Sequence, residues 1–119
     1  MRYLFATAIC AAAIVCSYGQ TPLADKTQLA AFEKEYLHAK ALMKSHPNDP
    51  GARSFFVRAG DRFATATMTS NVLAPRVKYP KALRLYREVL KVDPHNREAM
   101  ANAKLIEDVY RSMHRPIPK

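Results

Sequence analysis

The chain has 119 residues, of which 49% are hydrophobic and 24% are charged, and its formal net charge is +9 at pH 7. This length favours one domain, and the composition is too apolar for an intrinsically disordered chain. Three glycines against eight prolines exclude a collagen-like or flexible-linker sequence, and two cysteines exclude a disulfide-dense mini-protein.

Residues 1–19 have the pattern of a secretory signal peptide. Arg2 precedes an uncharged apolar segment that runs to Cys16, and small residues follow it. We therefore predict cleavage before Gln20 and a secreted or periplasmic protein. Two alternatives remain open for this segment. In one it stays as an uncleaved membrane anchor, and in the other Cys16 is lipidated, although the preceding Val15 is bulkier than bacterial lipoprotein signals prefer.

Cleavage would remove both cysteines, so the mature domain is expected to be stabilised by packing alone, without a disulfide. It would keep 18 Lys and Arg residues against 10 Asp and Glu residues. We expect a helical domain over residues 20–115 and a flexible, proline-containing tail over residues 116–119.

The first two predicted helices each carry one apolar stripe. The first runs from Lys26 to Ser45, after a capping residue at Asp25, and its stripe residues recur at spacings of three and four: Leu29, Phe32, Tyr36, Ala39 and Met43. The second runs from about Gly51 to Met68 or slightly beyond, with a stripe of Ala52, Phe56, Ala59 and Phe63. Gly60 lies beside this stripe, which indicates the close approach of a neighbouring helix.

The chain is then expected to form a loop over residues 70–79, and two further helices follow. Pro80 is placed in the first turn of the third helix, which ends near Val92. Its apolar side consists of Ala82, Leu85, Tyr86, Val89 and Leu90. Asn96 is the predicted cap of the fourth helix, whose stripe consists of Ala99, Ala103, Ile106, Tyr110 and Met113.

Two similar proline turns suggest helical-hairpin repeats. Pro47-Asn48-Asp49 and Pro94-His95-Asn96 each end one predicted helix and precede another. Residues 79–96 resemble the second helix and closing turn of a tetratricopeptide repeat, with the small, aromatic, aliphatic and proline positions of that family matched by Ala82, Tyr86, Val89-Leu90 and Pro94. The second predicted helix resembles the first helix of such a repeat, with matches at Phe56, Ala59-Gly60 and Phe63.

The resemblance covers residues 46–113 and is closest over residues 79–99. It implies an all-α fold in which antiparallel helical hairpins stack as a short right-handed solenoid of about four helices. The chain departs from the family pattern in two ways. About ten extra residues lie between Phe63 and Tyr79 compared with a repeat of about 34 residues. Lys104 stands where the family prefers a small residue, so the fourth helix is expected to act as a solvating cap.

No residue pattern predicts catalysis, and we expect a protein that is not an enzyme and has neither a cofactor nor a metal site. The four histidines are scattered and lack the paired spacings of a zinc site. Glu33 and Glu35 point to different helical faces, and Glu107 and Asp108 are adjacent in sequence, so neither pair forms converging carboxylates. The sequence contains no glycine-rich phosphate loop or nucleophile elbow.

The resemblance implies a module that binds a peptide or protein segment in a groove lined by the second and fourth helices. The candidate contact residues on these helices are Arg53, Arg58, Arg62, Asn102 and Lys104, and the inserted loop adds Arg76 and Lys78. Because so few repeats form only a short groove, tight binding would need self-association or a larger partner.

The alternative function is electrostatic binding to an anionic envelope polymer or lipid. Residues 70–119 carry 11 basic and 5 acidic side chains, whereas residues 20–69 carry 7 and 5. Such an excess also suits nucleic acid, but the predicted export argues against that partner. No apolar run in the mature segment approaches the ~20 residues of a membrane-spanning helix.

Overall fold

A computed structural model describes residues 25–119, which form four α-helices and contain no β-strand. The helices are α1 (Lys26–Ser45), α2 (Pro50–Thr69), α3 (Pro75–Val92) and α4 (Arg97–Ser112). The prediction of an all-α chain with four helices is therefore confirmed for this part of the sequence. The predicted signal peptide, including Cys16, lies outside the described residues.

Side-chain caps set the start of three helices. The carboxylate of Asp25 accepts a bond of 2.8 Å from the backbone N–H of Gln28, and Asp49 accepts from two N–H groups at the start of α2. Asn96 accepts a bond of 2.9 Å from the N–H of Ala99. These bonds satisfy backbone donors that have no partner within the helix, which is why these helices begin where the sequence predicts.

The start of α3 differs from the prediction. The helix begins at Pro75, so Pro80 lies inside it and the connection from α2 spans only residues 70–74. Ala74 has an extended backbone, and its carbonyl accepts bonds of 2.9 Å from the N–H groups of Val77 and Lys78. Pro75 costs no hydrogen bond, because the first backbone N–H of a helix has no partner within it. Pro80 removes one backbone hydrogen bond from a helix that tertiary packing holds in place.

Helices that follow each other in the chain run antiparallel, and alternate helices run side by side in the same direction. Near the α1–α2 turn, the ring of His38 packs edge-on against Phe55 at 5.9 Å. Lys81 on α3 forms an ion pair of 3.4 Å with Glu33 on α1. Further along both helices the phenol of Tyr36 donates a hydrogen bond to the carboxylate of Glu88. The side chains of α1 therefore bond directly to those of α3.

The core lies where α2 and α3 pack together between α1 and α4. Its largest fully buried apolar side chains are Tyr86, Phe56, Leu83, Ile106 and Val89. A Cβ added at Gly60 would lie 2.5 Å from Cγ2 of Val89, which confirms the predicted close approach of a neighbouring helix. The stripe predicted for α3 omits Leu83, which is buried because helices pack against α3 on more than one side.

The end of the chain, for which a flexible tail is predicted, contacts the helices. Ile117 packs against the hydrophobic core, and Arg87 on α3 donates a hydrogen bond of 2.6 Å to the carbonyl of Pro118. The same guanidinium forms an ion pair of 3.2 Å with Glu107 on α4. Residues 116–119 have no regular secondary structure, but these contacts hold them against α3 and α4.

Candidate functional site

One face of α4 exposes three large apolar side chains in a row. Leu105 is 56% exposed, Val109 is 40% exposed and Met113 is 50% exposed. Residues four apart lie above one another on a helix, so these side chains form a continuous stripe. The buried face of α4 is a different one, occupied by Ala99, Ala103 and Ile106. An exposed apolar row of this kind is typical of an interaction surface.

This stripe borders a groove made by two adjoining pockets of about 370 and 360 Å³, which share Tyr79 and Val109. We call this feature the α4 groove. Its apolar walls come from the end of α2, the start of α3 and the second half of α4, and include Met68, Pro75, Tyr79, Leu105, Val109 and Met113. A concave apolar surface with few polar groups is the usual form of a binding site.

Three basic residues border the α4 groove: Arg76, Lys78 and Arg115. The ammonium of Lys78 donates a bond of 2.7 Å to the carbonyl of Ser70 and lies 5.3 Å from the ring centre of Tyr79. This cation is therefore held in place at the edge of the apolar surface. Arg76 and Arg115 have exposed side chains at the end of the groove nearest to Met113.

A cluster of hydrogen-bonded side chains joins α2, α3 and α4 beyond the other end of the groove. The phenol oxygen of Tyr86 lies 2.8 Å from the hydroxyl of Thr65 and accepts a bond of 3.0 Å from the amide of Asn102. The hydroxyl of Thr65 also donates to Glu98, at 2.8 Å. Burial raises the pKa of Tyr86, although its bonds with Thr65 and Asn102 act to lower it. This phenol is therefore a structural hydrogen-bonding group.

A second polar contact ties the start of α4 to the middle of α2. The amide of Asn96 donates a bond of 2.6 Å to one carboxylate oxygen of Asp61. The other carboxylate oxygen is buried and has no hydrogen-bond partner among residues 25–119. Burial raises the pKa of Asp61 above its ordinary value, against the lowering effect of the bond from Asn96, and the negative charges of Glu98 and Asp93 add to the rise.

The structure places two of the seven residues predicted to contact a partner at the α4 groove and a third in the polar cluster. Arg76 and Lys78 border the α4 groove, but from the first turn of α3 and not from a loop. Asn102 lies in the polar cluster, where its amide is bonded to Tyr86. The inserted loop is shorter than expected because α2 extends to Thr69 and α3 begins at Pro75.

Arg53 and Arg58 lie on a different surface, at the start of α2 and the end of α3. They line a pocket of about 590 Å³ together with Val57, Val92 and other residues. The guanidinium of Arg53 donates a bond of 3.2 Å to the carbonyl of Val92, at the end of α3. This pocket is larger than either part of the α4 groove, but Arg53 already bonds to the carbonyl at the end of α3.

The remaining two candidates form ion pairs with neighbouring side chains. Arg62 pairs with Glu35 on α1 at 3.0 Å and lies 5.8 Å from the ring centre of Phe32. Lys104 pairs with Asp108 one turn further along α4. Neither lines a pocket of the α4 groove.

The sequence predictions do not include the apolar walls of the groove. Met113 was assigned to the core face of α4, whereas half of it is exposed, and Leu105 and Val109 were not selected at all. The spacing of four from Leu105 to Met113 is the signal that would have identified them. It indicates a second apolar row on α4, separate from the buried row.

Among residues 25–119 there is no group of three or more His, Cys, Asp and Glu side chains placed to hold a metal ion. In the same range, no helix combines the length and apolar character needed to cross a bilayer. The groove itself offers apolar walls and cations, which are suited to binding a segment with apolar and acidic side chains.

Comparison of the chain with known protein families, curated protein sequences and solved structures found no match.

Proposed function

We propose that this protein is an exported, non-catalytic module that binds a peptide or protein segment in the α4 groove. The observation that supports the proposal is the exposed row of Leu105, Val109 and Met113, which lies beside two apolar pockets. Covering such a row removes apolar area from water, at about 25 cal/mol per Å² before the costs of association. The proposed binding surface is therefore the face of α4 that is not packed into the core.

The partner segment would combine apolar side chains with acidic ones. Apolar side chains would fill the two pockets on either side of Val109. Carboxylates would meet Arg76 and Arg115, whose guanidinium groups can each form two parallel bonds to a carboxylate. Lys78, held by Ser70, would add a fixed positive charge. These polar contacts would set the direction of the segment in the groove, while the apolar contacts would supply most of the affinity.

We further propose that the helices form a short right-handed solenoid of the tetratricopeptide type. The antiparallel order of neighbouring helices and the tight contact between Gly60 and Val89 support this arrangement. In such a solenoid α2 and α4 would share the concave surface, as the bonds from Asn96 to Asp61 and from Thr65 to Glu98 suggest. A crystal structure with reversed handedness or a different helix order would contradict this assignment.

A peptide-display selection against the protein tests the binding function. Peptides enriched in apolar and acidic residues should be selected, and they should lose affinity for a Leu105→Glu variant. Leu37→Glu is the matched control, because Leu37 is also 56% exposed but lies on α1, away from the groove. Failure to select any peptide, or equal binding to both variants, would contradict the proposal.

A second pair of variants separates the groove from general electrostatics. Replacing Arg76 and Lys78 together with Ala should weaken binding of a selected peptide by much more than the small loss of stability expected from the bond of Lys78 to Ser70. Replacing Arg84 and Lys91 with Ala removes the same charge from residues of α3 that do not line the groove. If this control weakened binding as much, the basic surface as a whole would be responsible.

Binding to an anionic envelope polymer or lipid is the second candidate function, and the charge excess of residues 70–119 favours it. Several of these cations already form ion pairs within the protein, among them Lys81, Arg87, Lys104 and Arg111. Binding to vesicles that contain anionic phospholipid should be lost between 0.1 M and 1 M salt, as the Debye length falls from about 10 Å to about 3 Å. Groove binding should largely survive this change.

Export is a separate part of the proposal, and it is tested on the cells that make the protein. Mass spectrometry of protein recovered outside the cytoplasm should give a chain that begins near Gln20, as the sequence of residues 1–19 predicts. Recovery of the full-length chain from the cytoplasm would contradict export and would make nucleic acid a partner to test.

A further inference from the structure

The exposed stripe of α4 has opposite charges at its two ends. Glu98 lies in the first turn of the helix, on the same face as Leu105 and Val109. Its side chain is exposed, and only one of its carboxylate oxygens accepts the bond from Thr65. Arg115 follows the other end of the helix and lines the groove beside Met113. The stripe is therefore acidic at its start, apolar in the middle and basic at its end.

Four of these residues are arranged symmetrically about position 107, and Met113 extends the apolar stripe on the side of Arg115. Leu105 and Val109 lie two residues on either side of position 107, and Glu98 and Arg115 lie about the same number of residues from that position. With a rise of 1.5 Å per residue, Glu98 lies roughly 13 Å along the helix axis from position 107, and Arg115 follows the end of the helix on the other side. A surface with this pattern is complementary to a copy of itself that runs in the opposite direction.

We propose that a second copy of this chain occupies the α4 groove, so that the protein forms a two-fold symmetric dimer in the absence of another partner. In this dimer the two α4 helices pack antiparallel. Leu105 of each copy lies against Val109 of the other, and Glu98 of each copy meets Arg115 of the other. A two-fold interface uses the same surface on both copies, and this requires the self-complementarity that the stripe shows.

The charge pattern favours a second copy over a uniformly acidic partner. Arg76 and Arg115 attract carboxylates at one end of the groove, whereas Glu98 repels them at the other. A second copy meets both ends with the opposite charge. This inference does not depend on the proposed function, because it concerns the protein without a partner segment. If both are correct, partner binding and self-association compete for the same surface.

A charge-reversal experiment tests the dimer and its direction. Protein recovered from cells that express the full chain is studied by sedimentation velocity at low salt over a range of concentrations. The wild type should sediment as a dimer at high concentration. Glu98→Arg and Arg115→Glu should each weaken the dimer about tenfold or more, because two attractive contacts become repulsive in each case.

An equal mixture of the two variants should form dimers as well as the wild type does. In the mixed dimer both end contacts again join opposite charges, whereas each variant alone joins like charges twice. Any association through residues outside the groove is the same for all these chains, so it cannot produce recovery in the mixture alone. A wild type that stays monomeric, or a mixture that associates no better than the separate variants, would overturn the proposal.

A third variant keeps the test decisive if a charge reversal disturbs the helix. Val109→Asp places a charge at the centre of the proposed interface, at a side chain that the core does not bury. Val77→Asp is the control, because Val77 is 49% exposed on α3 and lines neither pocket of the groove. Circular dichroism should show equal helix content for both. Loss of the dimer with Val109→Asp alone supports the proposal, and equal dimerisation of both overturns it.

Discussion

Asn102 on α4 donates a hydrogen bond of 3.0 Å to the phenol oxygen of Tyr86 on α3. This oxygen also lies 2.8 Å from the hydroxyl of Thr65 on α2, so one buried tyrosine connects three helices. Asn102 was selected from the sequence as a partner contact, but its amide is used inside the protein. The position of α4, and with it the shape of the groove, therefore depends on a polar group in the core.

Tyr86→Phe should lower the free energy of unfolding by about 1–2 kcal/mol, since it removes the acceptor for Asn102 and the partner of Thr65. Tyr110→Phe should change it by about 0.5 kcal/mol or less, because Tyr110 is only partly buried at the edge of the core. Urea denaturation measures both values. Equal effects of the two substitutions would show that the polar cluster does not stabilise the fold.

Gly60→Ala should destabilise the protein by about 1–2 kcal/mol, despite the better helix propensity of alanine. The new Cβ would lie 2.5 Å from Cγ2 of Val89, so Val89 must leave its preferred rotamer or α2 and α3 must move apart. Gly51→Ala is the control, because a Cβ there would have only ordinary contacts, the nearest being 3.6 Å from Asp49. It should leave the protein unchanged or stabilise it by up to about 1 kcal/mol. Melting curves of both variants would reveal the difference.

Arg87→Ala should destabilise the protein by about 1 kcal/mol. The sequence predicts Arg87 on the solvent side of α3 and hence a negligible effect, but the structure shows bonds to Glu107 and to the carbonyl of Pro118. Arg84→Ala, at an exposed position of the same helix, should change stability by no more than about 0.5 kcal/mol. If removal of residues 116–119 left the effect of Arg87→Ala unchanged, its bond to the tail would contribute nothing.

Asp61→Asn should stabilise the protein at neutral pH. The raised pKa of Asp61 means that the folded state binds its proton more tightly than the unfolded state does, so ionised Asp61 opposes folding. This penalty is absent well below the ordinary pKa of 3.8 and grows as pH rises through the pKa of the folded state. The variant should therefore match the wild type at acid pH and exceed it at neutral pH.

Asp108→Asn is the control of opposite sign for this experiment. Hydrogen bonds from Lys104 and Arg111 lower the pKa of Asp108, so its ionised form stabilises the folded state. That stabilisation is present above the ordinary pKa and is lost as pH falls through the lowered one. Asp108→Asn should thus be less stable than the wild type at neutral pH only. Urea denaturation from acid to neutral pH measures both effects. The same pH dependence for the two variants would contradict the opposite pKa shifts of Asp61 and Asp108.

The helix ends show how far local chemistry determines this fold. Asp25 and Asn96 cap their helices as predicted, because a cap bond joins residues only three apart. Pro80 shows the limit of the same argument. A proline suits the first turn of a helix, and both Pro75 and Pro80 satisfy that rule. Only the packing of α3 against its neighbours decides that the helix begins at Pro75.

The candidate site was predictable only in part, because a groove forms where the packing of the helices leaves apolar side chains exposed. Arg76 and Lys78 were found from their charge and their place in the inserted segment. Leu105 and Val109 carry an equally clear period-four signal, but the sequence does not show which apolar row of α4 the core buries. That choice depends on where α3 and the end of α2 lie.

Periodicity and capping were thus enough to establish the all-α class and the number of helices, since these depend on residues close together in the chain. The contacts that position the helices are long-range. Tyr36 bonds to Glu88 across 52 positions, and Asn96 bonds to Asp61 across 35. On an isolated helix, water would satisfy the hydrogen bonds of each of these polar side chains. Only burial between packed helices therefore selects a protein partner for it.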